Sequence, residues 1–481
     1  MPTNDTNHYD LLIIGSGPAG YKAAVTASMY GAKVAIIEKS LPGGTCLNQG
    51  CVPKDALVRI AKLLRDFSSY AGHGISGQIS GDFSAAIKHK NETIAGIRAT
   101  LIPWLKQLGI KLHEGSASFV DEHTLKVVKD NITTVYTADK IVIATGGRPK
   151  ELNCCPRDGE HILNTTDFMF KLDTMPTSML FVGGGTVSCE LAYALHQFGC
   201  KVSIVEQSER LLNKPCINER ASQTLERKFK RLGIAYIKNT QVSSSRVEAG
   251  GVEVTLNDGQ CLRFEKVLVA VGRVPNVESL NLDAAGIHLH PDGFIQTNEY
   301  LETSCKGVYA IGDVKHGPMT ANGAFHDAKI AANNAINGNS QKFNYNRVPM
   351  VIDTALQIAS VGLTEDRAEQ AGFEVEVARI NLAGSTKAKT SKDLEGYIEV
   401  VHDDETGQLL GGTIVGPQAG EMVHTLTAAC QSNRGLWFFT DMSYAHPSWS
   451  EELENAIGRY VAAFNNTEDD IFRPGIYAIH R

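Results

Sequence analysis

The chain has no long block of like charge, no low-complexity tract and no apolar run of about 18 residues, the length a membrane helix requires. With a formal net charge of −7 it lacks the basic footprint that nucleic acid demands, so the expected partners are small molecules. Nothing in it is expected to span a bilayer. The opening residues, MPTNDTNHYD, carry neither the basic segment nor the apolar stretch of a secretory signal, and the expected location is cytoplasmic. Regular cysteine spacing is missing too. Ten cysteines scattered over 481 residues do not make the framework of an extracellular domain, and in a reducing compartment a bridge is usually catalytic.

What is present is ordinary globular material, 43% hydrophobic and 21% charged. A chain of this length exceeds one core, so about two to four domains are expected. Residues 10–38, DLLIIGSGPAGYKAAVTASMYGAKVAIIE, run apolar strand, glycine turn, helix, apolar strand, acid. This is the order of a dinucleotide-binding βαβ unit. Gly15 serves the tight turn, Gly17 lets the backbone approach a pyrophosphate, Gly20 lets helix and strand pack closely, and Glu38 meets ribose hydroxyls. Residues 179–206, MLFVGGGTVSCELAYALHQFGCKVSIVE, repeat the plan with Gly183, Gly185 and Glu206, and with Ser188 where the third glycine would fall. In both copies the acid lies 23 residues beyond the first glycine, a coincidence that a structural turn does not explain. Glu206 favours NAD over NADP, because a carboxylate suits a free 2′-hydroxyl and repels a 2′-phosphate.

The stretch GGTCLNQGCVPKDAL, residues 43–57, sets Cys46 and Cys51 five positions apart, with Pro53 placed to open a helix. Cys51 then sits at a helix N-terminus, whose partial positive charge stabilises a thiolate, and the pair can cycle between disulfide and dithiol. Late in the chain, YAHPSWSEELENA puts His446 five residues before Glu451. A turn through Pro447 lets that carboxylate fix the imidazole's tautomer, the arrangement of a general base. The strand GVYAIGDV ends in Gly312 and Asp313, and an aspartate there suits hydrogen bonding to a sugar-like chain.

The order of the two fingerprints, the GGTC to GC dithiol, IATGGRP, AIGD and HPSWSEE together resemble the pyridine nucleotide-disulfide oxidoreductases, most closely the dihydrolipoamide dehydrogenases, over almost the whole chain. The resemblance implies an α/β fold with two Rossmann-like domains and a C-terminal α+β interface domain. It implies FAD on the first fingerprint, NAD on the second, and Asp313 at the ribityl side. Gly115, Thr145, Gly146 and Gly272 complete the cofactor set expected from it. It implies that Cys51 is the sulfur nearest the flavin and Cys46 the one facing a dithiol substrate, free or on a lipoyl-bearing carrier protein. It also implies a homodimer in which His446 reaches the dithiol of the other subunit. The expected spans are 1–148 for the FAD domain, 149–275 for the NAD domain, 276–346 for a segment completing the FAD site and 347–481 for the interface. No metal site is expected.

The pattern breaks in places. Asp55 stands where the family has a lysine paired with a glutamate, here Glu190, so two carboxylates are expected near the flavin, with Lys54 turned elsewhere on the helix. Asn322 replaces a usual histidine, and Asp353, Leu356 and Gln357 depart from the family's tyrosine, proline and acid. The final residues, PGIYAIHR, lack the cysteine pair of mercuric reductases. Two other readings fit the motifs: an NADH-dependent reductase of another small disulfide, and a non-catalytic flavoprotein subunit.

Overall fold

A computed structural model describes residues 7–432 and 434–465; side chains are described as far as residue 458. The expected first and last spans, and the C-terminal PGIYAIHR, therefore extend outside the described residues.

The first βαβ unit forms as its pattern dictates. Strands His8–Ile14 and Val34–Glu38 pair in parallel, and helix Pro18–Met29 crosses between them. The sheet order runs Lys111–Glu114, Val34–Glu38, His8–Ile14, Ile132–Ile143, Thr124–Lys129, Ser116–Phe119, with Val308–Ala310 also on Ile132–Ile143. Ile132–Ile143 changes role along its length. Its first half pairs antiparallel with Thr124–Lys129, and its second half lies parallel to His8–Ile14 and Val308–Ala310. Parallel strands bury both faces, which is why LLII and VAIIE are continuous apolar runs with every Leu and Ile 5% exposed or less.

The second unit repeats this as a five-stranded parallel sheet, ordered Ala235–Ile237, Lys201–Val205, Ser178–Val182, Lys266–Val269, Ile162–Leu163. An antiparallel meander, Val242–Glu248, Gly251–Leu256 and Cys261–Phe264, is inserted between its strands Ala235–Ile237 and Lys266–Val269. Between the two sheets, Gly147–Pro149 and Arg273–Pro275 pair antiparallel. These are the IATGGRP and VGRVPN stretches, and they carry the chain from one unit to the other and back.

The C-terminal part is a five-stranded antiparallel sheet, ordered Met350–Asp353, Gln357–Gly362, Leu409–Val415, Tyr397–Asp403, Val375–Asn381. Tyr397–Asp403 and Leu409–Val415 are buried at every position, and helices Ala419–Gln431 and Glu451–Asn465 pack nearby. The molecule is thus α/β with an α+β C-terminal part. Among the described residues no helix is long and apolar enough to cross a membrane, and no group of three or more His, Cys, Asp or Glu is placed to hold a metal.

Candidate active site

The two fingerprints adopt the same local geometry. Gly15 donates its amide to Ile37 O at 2.8 Å, and Gly183 to Val205 O at 2.8 Å. Both have left-handed backbone, φ +104° and +100°, and a Cβ would lie 2.5 Å from Ala144 O at Gly15 and 2.7 Å from Ala270 O at Gly183. Only glycine fits there. The middle glycines are different. A Cβ on Gly17 meets only Gly44 Cα at 3.9 Å and one on Gly185 meets nothing within 4 Å, so each helix N-terminus opens onto the free space a pyrophosphate needs. At the third position the copies diverge. A Cβ on Gly20 would sit 1.8 Å from Gly15 O, whereas Ser188 is accommodated fully buried, its hydroxyl without a partner.

The terminal acids repeat as well. Glu38 accepts the Ser16 amide at 2.8 Å and the Ser40 amide at 2.8 Å. Glu206 accepts from the Gly184 amide, and from the Ser208 amide at 2.7 Å. Each carboxylate braces its own glycine turn and keeps lone pairs for ribose hydroxyls. Arg210, the nearest downstream arginine, donates instead to Ile217 O at 3.0 Å.

Both cradles open into one cavity of about 1270 Å³. Its walls include Gly15, Gly17, Glu38, Cys46, Cys51, Gly115, Thr145, Gly146, Gly183, Gly185, Glu206, Gly272 and Asp313; Gly20 lies behind the first turn. Thr145 is fixed by Asn276, its hydroxyl donating to Asn276 O at 2.7 Å while the Asn276 amide donates to Gly146 O at 2.9 Å. Asp313 faces Arg273 at 3.2 Å. Burial raises the Asp313 pKa, and Arg273 works against it. Arg273, on strand Arg273–Pro275, is a cavity residue absent from those expected from the sequence. The buried Thr186 hydroxyl, on the wall beside Gly185, has no hydrogen-bond partner. Open middle glycines, paired acids and this unpaired donor fit two dinucleotides.

The dithiol lines the same cavity. Helix Gly44–Gln49 carries Cys46, and helix Cys51–Ser69 begins at Cys51. The short helix is pinned by Asn48, which donates to Gly44 O at 2.9 Å and Pro42 O at 3.0 Å and accepts from Arg98 at 2.9 Å. Both cysteines are free thiols. Their hydrogen bond drives the two pKa values apart. That bond, then burial, pushes Cys46 far above the thiol range. The same bond lowers Cys51 against its burial, and Lys54 adds to the lowering.

The expectation for Lys54 and Asp55 is corrected here. Lys54, not the residue after it, pairs with Glu190, Nζ to Oε1 at 3.0 Å, and both line the cavity. Asp55 is exposed. Helices Cys51–Ser69 and Thr186–Gln197 pack side by side, and their approach decides that position 54 faces the glutamate. Burial alone would lower the Lys54 pKa, but Glu190 outweighs it and holds the ammonium charged. The two facing carboxylates do not arise. Of the remaining departures, Asn322 lines the cavity and donates to Pro349 O at 3.0 Å. Leu356 is buried.

His446 and Glu451 form the expected pair, Nδ1 to Oε2 at 2.9 Å, with Glu451 opening helix Glu451–Asn465 and also accepting the Ser448 amide at 3.0 Å. The peptide before Pro447 is cis. Neither residue lines the cavity. The histidine side chain is 68% exposed, on the surface of the C-terminal part.

Fold and cavity together define a two-nucleotide dithiol oxidoreductase, and comparison with known proteins agrees. The family model described as pyridine nucleotide-disulphide oxidoreductase matches residues 9–328, and that of the family's dimerisation domain matches residues 348–457. The dihydrolipoyl dehydrogenase of Chlorobaculum tepidum is 34% identical over 460 residues, covering 93% of this chain and 96% of that protein. The Bacillus subtilis dihydrolipoyl dehydrogenase is 32% identical over 453 residues, with 93% and 97% covered. Among solved structures, LpdA from Mycobacterium tuberculosis superposes with a TM-score of 0.88 at 25% identity, covering 94% of this chain and 99% of that one. The HOCl-induced flavoprotein disulfide reductase RclA from Escherichia coli gives 0.81 at 26% identity, with the same coverage. The chain belongs to the pyridine nucleotide-disulphide oxidoreductase family. As a member it is a flavoprotein oxidoreductase that uses FAD and NAD(H), and its C-terminal part is the family's dimerisation domain.

Proposed function

We propose that the protein oxidises dihydrolipoyl groups with NAD. The supporting observation is that a dithiol, with the pKa of one thiol lowered beside a buried Lys54–Glu190 pair, lines the cavity that two dinucleotide cradles share. The first cradle, Gly15, Gly17, Gly20 and Glu38 with Gly115, Thr145, Gly146 and Asp313, is assigned to FAD. The second, Gly183, Gly185 and Glu206 with Gly272, is assigned to NAD. The corresponding domains are 1–148, 149–275 and 276–346, with 347–481 as the interface.

FAD, when bound, supplies a two-electron acceptor between dithiol and nicotinamide. The protein's own side chains do the rest. A substrate thiolate attacks Cys46 of the oxidised pair, and the Cys46–Cys51 bond breaks with Cys51 leaving as a thiolate. The second substrate sulfur then displaces Cys46, closing the substrate disulfide and leaving the enzyme's dithiol. Two S–H bonds are lost from the substrate, and one electron pair reaches NAD, giving NADH and one released proton. His446 takes the substrate proton, and Glu451 orients it and stabilises its charged form. Since the pair does not line its own chain's cavity, the dithiol it serves is assigned to the second copy of a homodimer.

The test is a steady-state assay of dihydrolipoamide with NAD, beside free and carrier-borne lipoyl groups and a panel of small disulfides with NADH or NADPH. Rapid NAD-linked oxidation of dihydrolipoyl groups is expected; turnover confined to another disulfide overturns the substrate. The NADH to NADPH ratio also tests whether Glu206 outweighs Lys214, a basic residue on the same cavity wall. Replacing His446 with Gln is expected to slow dihydrolipoamide oxidation by roughly 10²- to 10⁴-fold, with the bound flavin's spectrum unchanged.

A further inference from the structure

Two positions that depart from the family's pattern, Asp353 and Gln357, prove to be neighbours in one network with Lys54, the residue beside the departure at Asp55. Glu190 Oε1 accepts Lys54 Nζ at 3.0 Å and also the backbone amide of Asp353 at 2.8 Å. The Asp353 carboxylate in turn accepts from Lys62 Nζ, and from Gln357 Nε2 at 3.1 Å. Gln357 Oε1 accepts the Gly420 amide at 2.7 Å, at the start of helix Ala419–Gln431. Lys62 and Lys54 lie on the same helix, eight residues or about two turns apart. One helix therefore carries both cations, and the carboxylates face it from helix Thr186–Gln197 and strand Met350–Asp353.

All four charged side chains are largely shielded, between 6% and 19% exposed. The set sums to zero charge. A charge removed from such a cluster is compensated poorly by solvent, so its loss is felt at the neighbouring groups. Arg65 ties the same helix to the same C-terminal part, donating to Ala355 O at 3.4 Å and facing Asp393 at 3.7 Å.

We propose that Asp353 and Lys62 are positioning residues for the dithiol: the Asp353 amide fixes Glu190, and the two side chains stand beside the Lys54–Glu190 pair as a second balanced ion pair, so that the ionisation of Cys51 is set in part by a strand of the C-terminal domain. This rests on the assignment of Cys51 as the thiolate, but not on the identity of the substrate. The groups facing Cys51 are Cys46 on the short helix, Tyr21 on helix Pro18–Met29, Lys54 on its own helix and Glu190 opposite. Lys62 and Asp353 act through the last two.

A packing role and a charge role make opposite forecasts. If the residues only pack, Lys62→Met and Asp353→Asn loosen the site alike. If they balance charge, Lys62→Met leaves an excess negative charge and raises the pH at which Cys51 ionises, while Asp353→Asn leaves an excess positive charge and lowers it. Each shift is about half a pH unit, the order for one charge acting beyond direct contact through a partly screened interior. The Asp353→Asn variant keeps the backbone amide that holds Glu190.

The experiment is the rate of iodoacetamide alkylation of Cys51 against pH in the flavin-bound, reduced dimer, read by mass spectrometry. Opposite shifts for the two single variants, and a midpoint near wild type for the double variant, are the expected result. Shifts of the same sign, or no shift in either, overturn the proposal. Lys62→Arg and Asp353→Glu keep the charges and are expected to titrate like wild type; displacement of these as large as in the neutral variants also overturns it. Failure of the dihydrolipoyl reading leaves this measurement unaffected, since no substrate enters it.

Discussion

The Cys51 pKa is lowered by its Cys46 neighbour and by the Lys54 ammonium, and the start of the helix it opens favours a thiolate as well. Removing the ammonium isolates one of them. Lys54→Met is expected to raise the pH midpoint of Cys51 alkylation by about one unit, the lower end for loss of an adjacent opposite charge. The direction follows because Lys54 stabilises the charged thiolate. At this scale the sequence was legible wherever chemistry required one residue type. The cysteines, the glycines and the terminal acids stood out because no other side chain does their work. Lys54 did not. Its role depends on which face of a helix meets Glu190, and a register shift of one residue, 100° around the axis, is settled by the packing of two helices.

Short elements carry much of the site. Helix Thr165–Lys171 contributes Thr165, Thr166, Met169 and Phe170 to the cavity wall, and it is held by a capping box of Asn164 and Asp167. Burial would raise the Asp167 pKa, but Arg157, Lys171 and the Asn164 amide together bring it down to about 2. Because the folded value lies below the unfolded one, the gain is complete above the unfolded pKa near 4 and disappears as pH falls through about 2. Asp167→Asn is therefore expected to cost about 2 kcal/mol at pH 7. The deficit against wild type should shrink below pH 4, as read from denaturant unfolding across that range. A second test concerns the first crossover helix. In Gly20→Ala the new Cβ falls 1.8 Å from Gly15 O, so helix and turn must separate, and flavin is expected to be lost on dialysis. Retention of flavin would show that the turn can yield. Ser188, which occupies the matching place in the second copy, shows that this demand is not intrinsic to the fingerprint.

For the whole molecule, the separation of His446 from its own chain's cavity leads to a complementation test. Cys51→Ser and His446→Ala homodimers are each expected to be inactive with dihydrolipoamide. A heterodimer of the two contains one site with both groups intact, so co-expression with random pairing is expected to restore about a quarter of wild-type activity under the isologous symmetry of a dimer. No recovery would mean that each chain completes its own site.

How much was legible follows from the range of the forces involved. Strand–turn–helix order, the two cradles and the dithiol helix are local, encoded by apolar periodicity and by glycine and proline at fixed offsets. The sequence by itself therefore determined the fold class, the two glycine turns with their terminal acids, and the helix start that carries Cys51. Only the tertiary structure decided that Arg273 meets Asp313, that Lys54 takes the place opposite Glu190, and that Asp353 and Lys62 lie beside that pair. Those contacts join residues 40 to 291 positions apart. Side-chain charge has no periodicity along the chain, and which charges become neighbours is fixed only when helices and sheets pack.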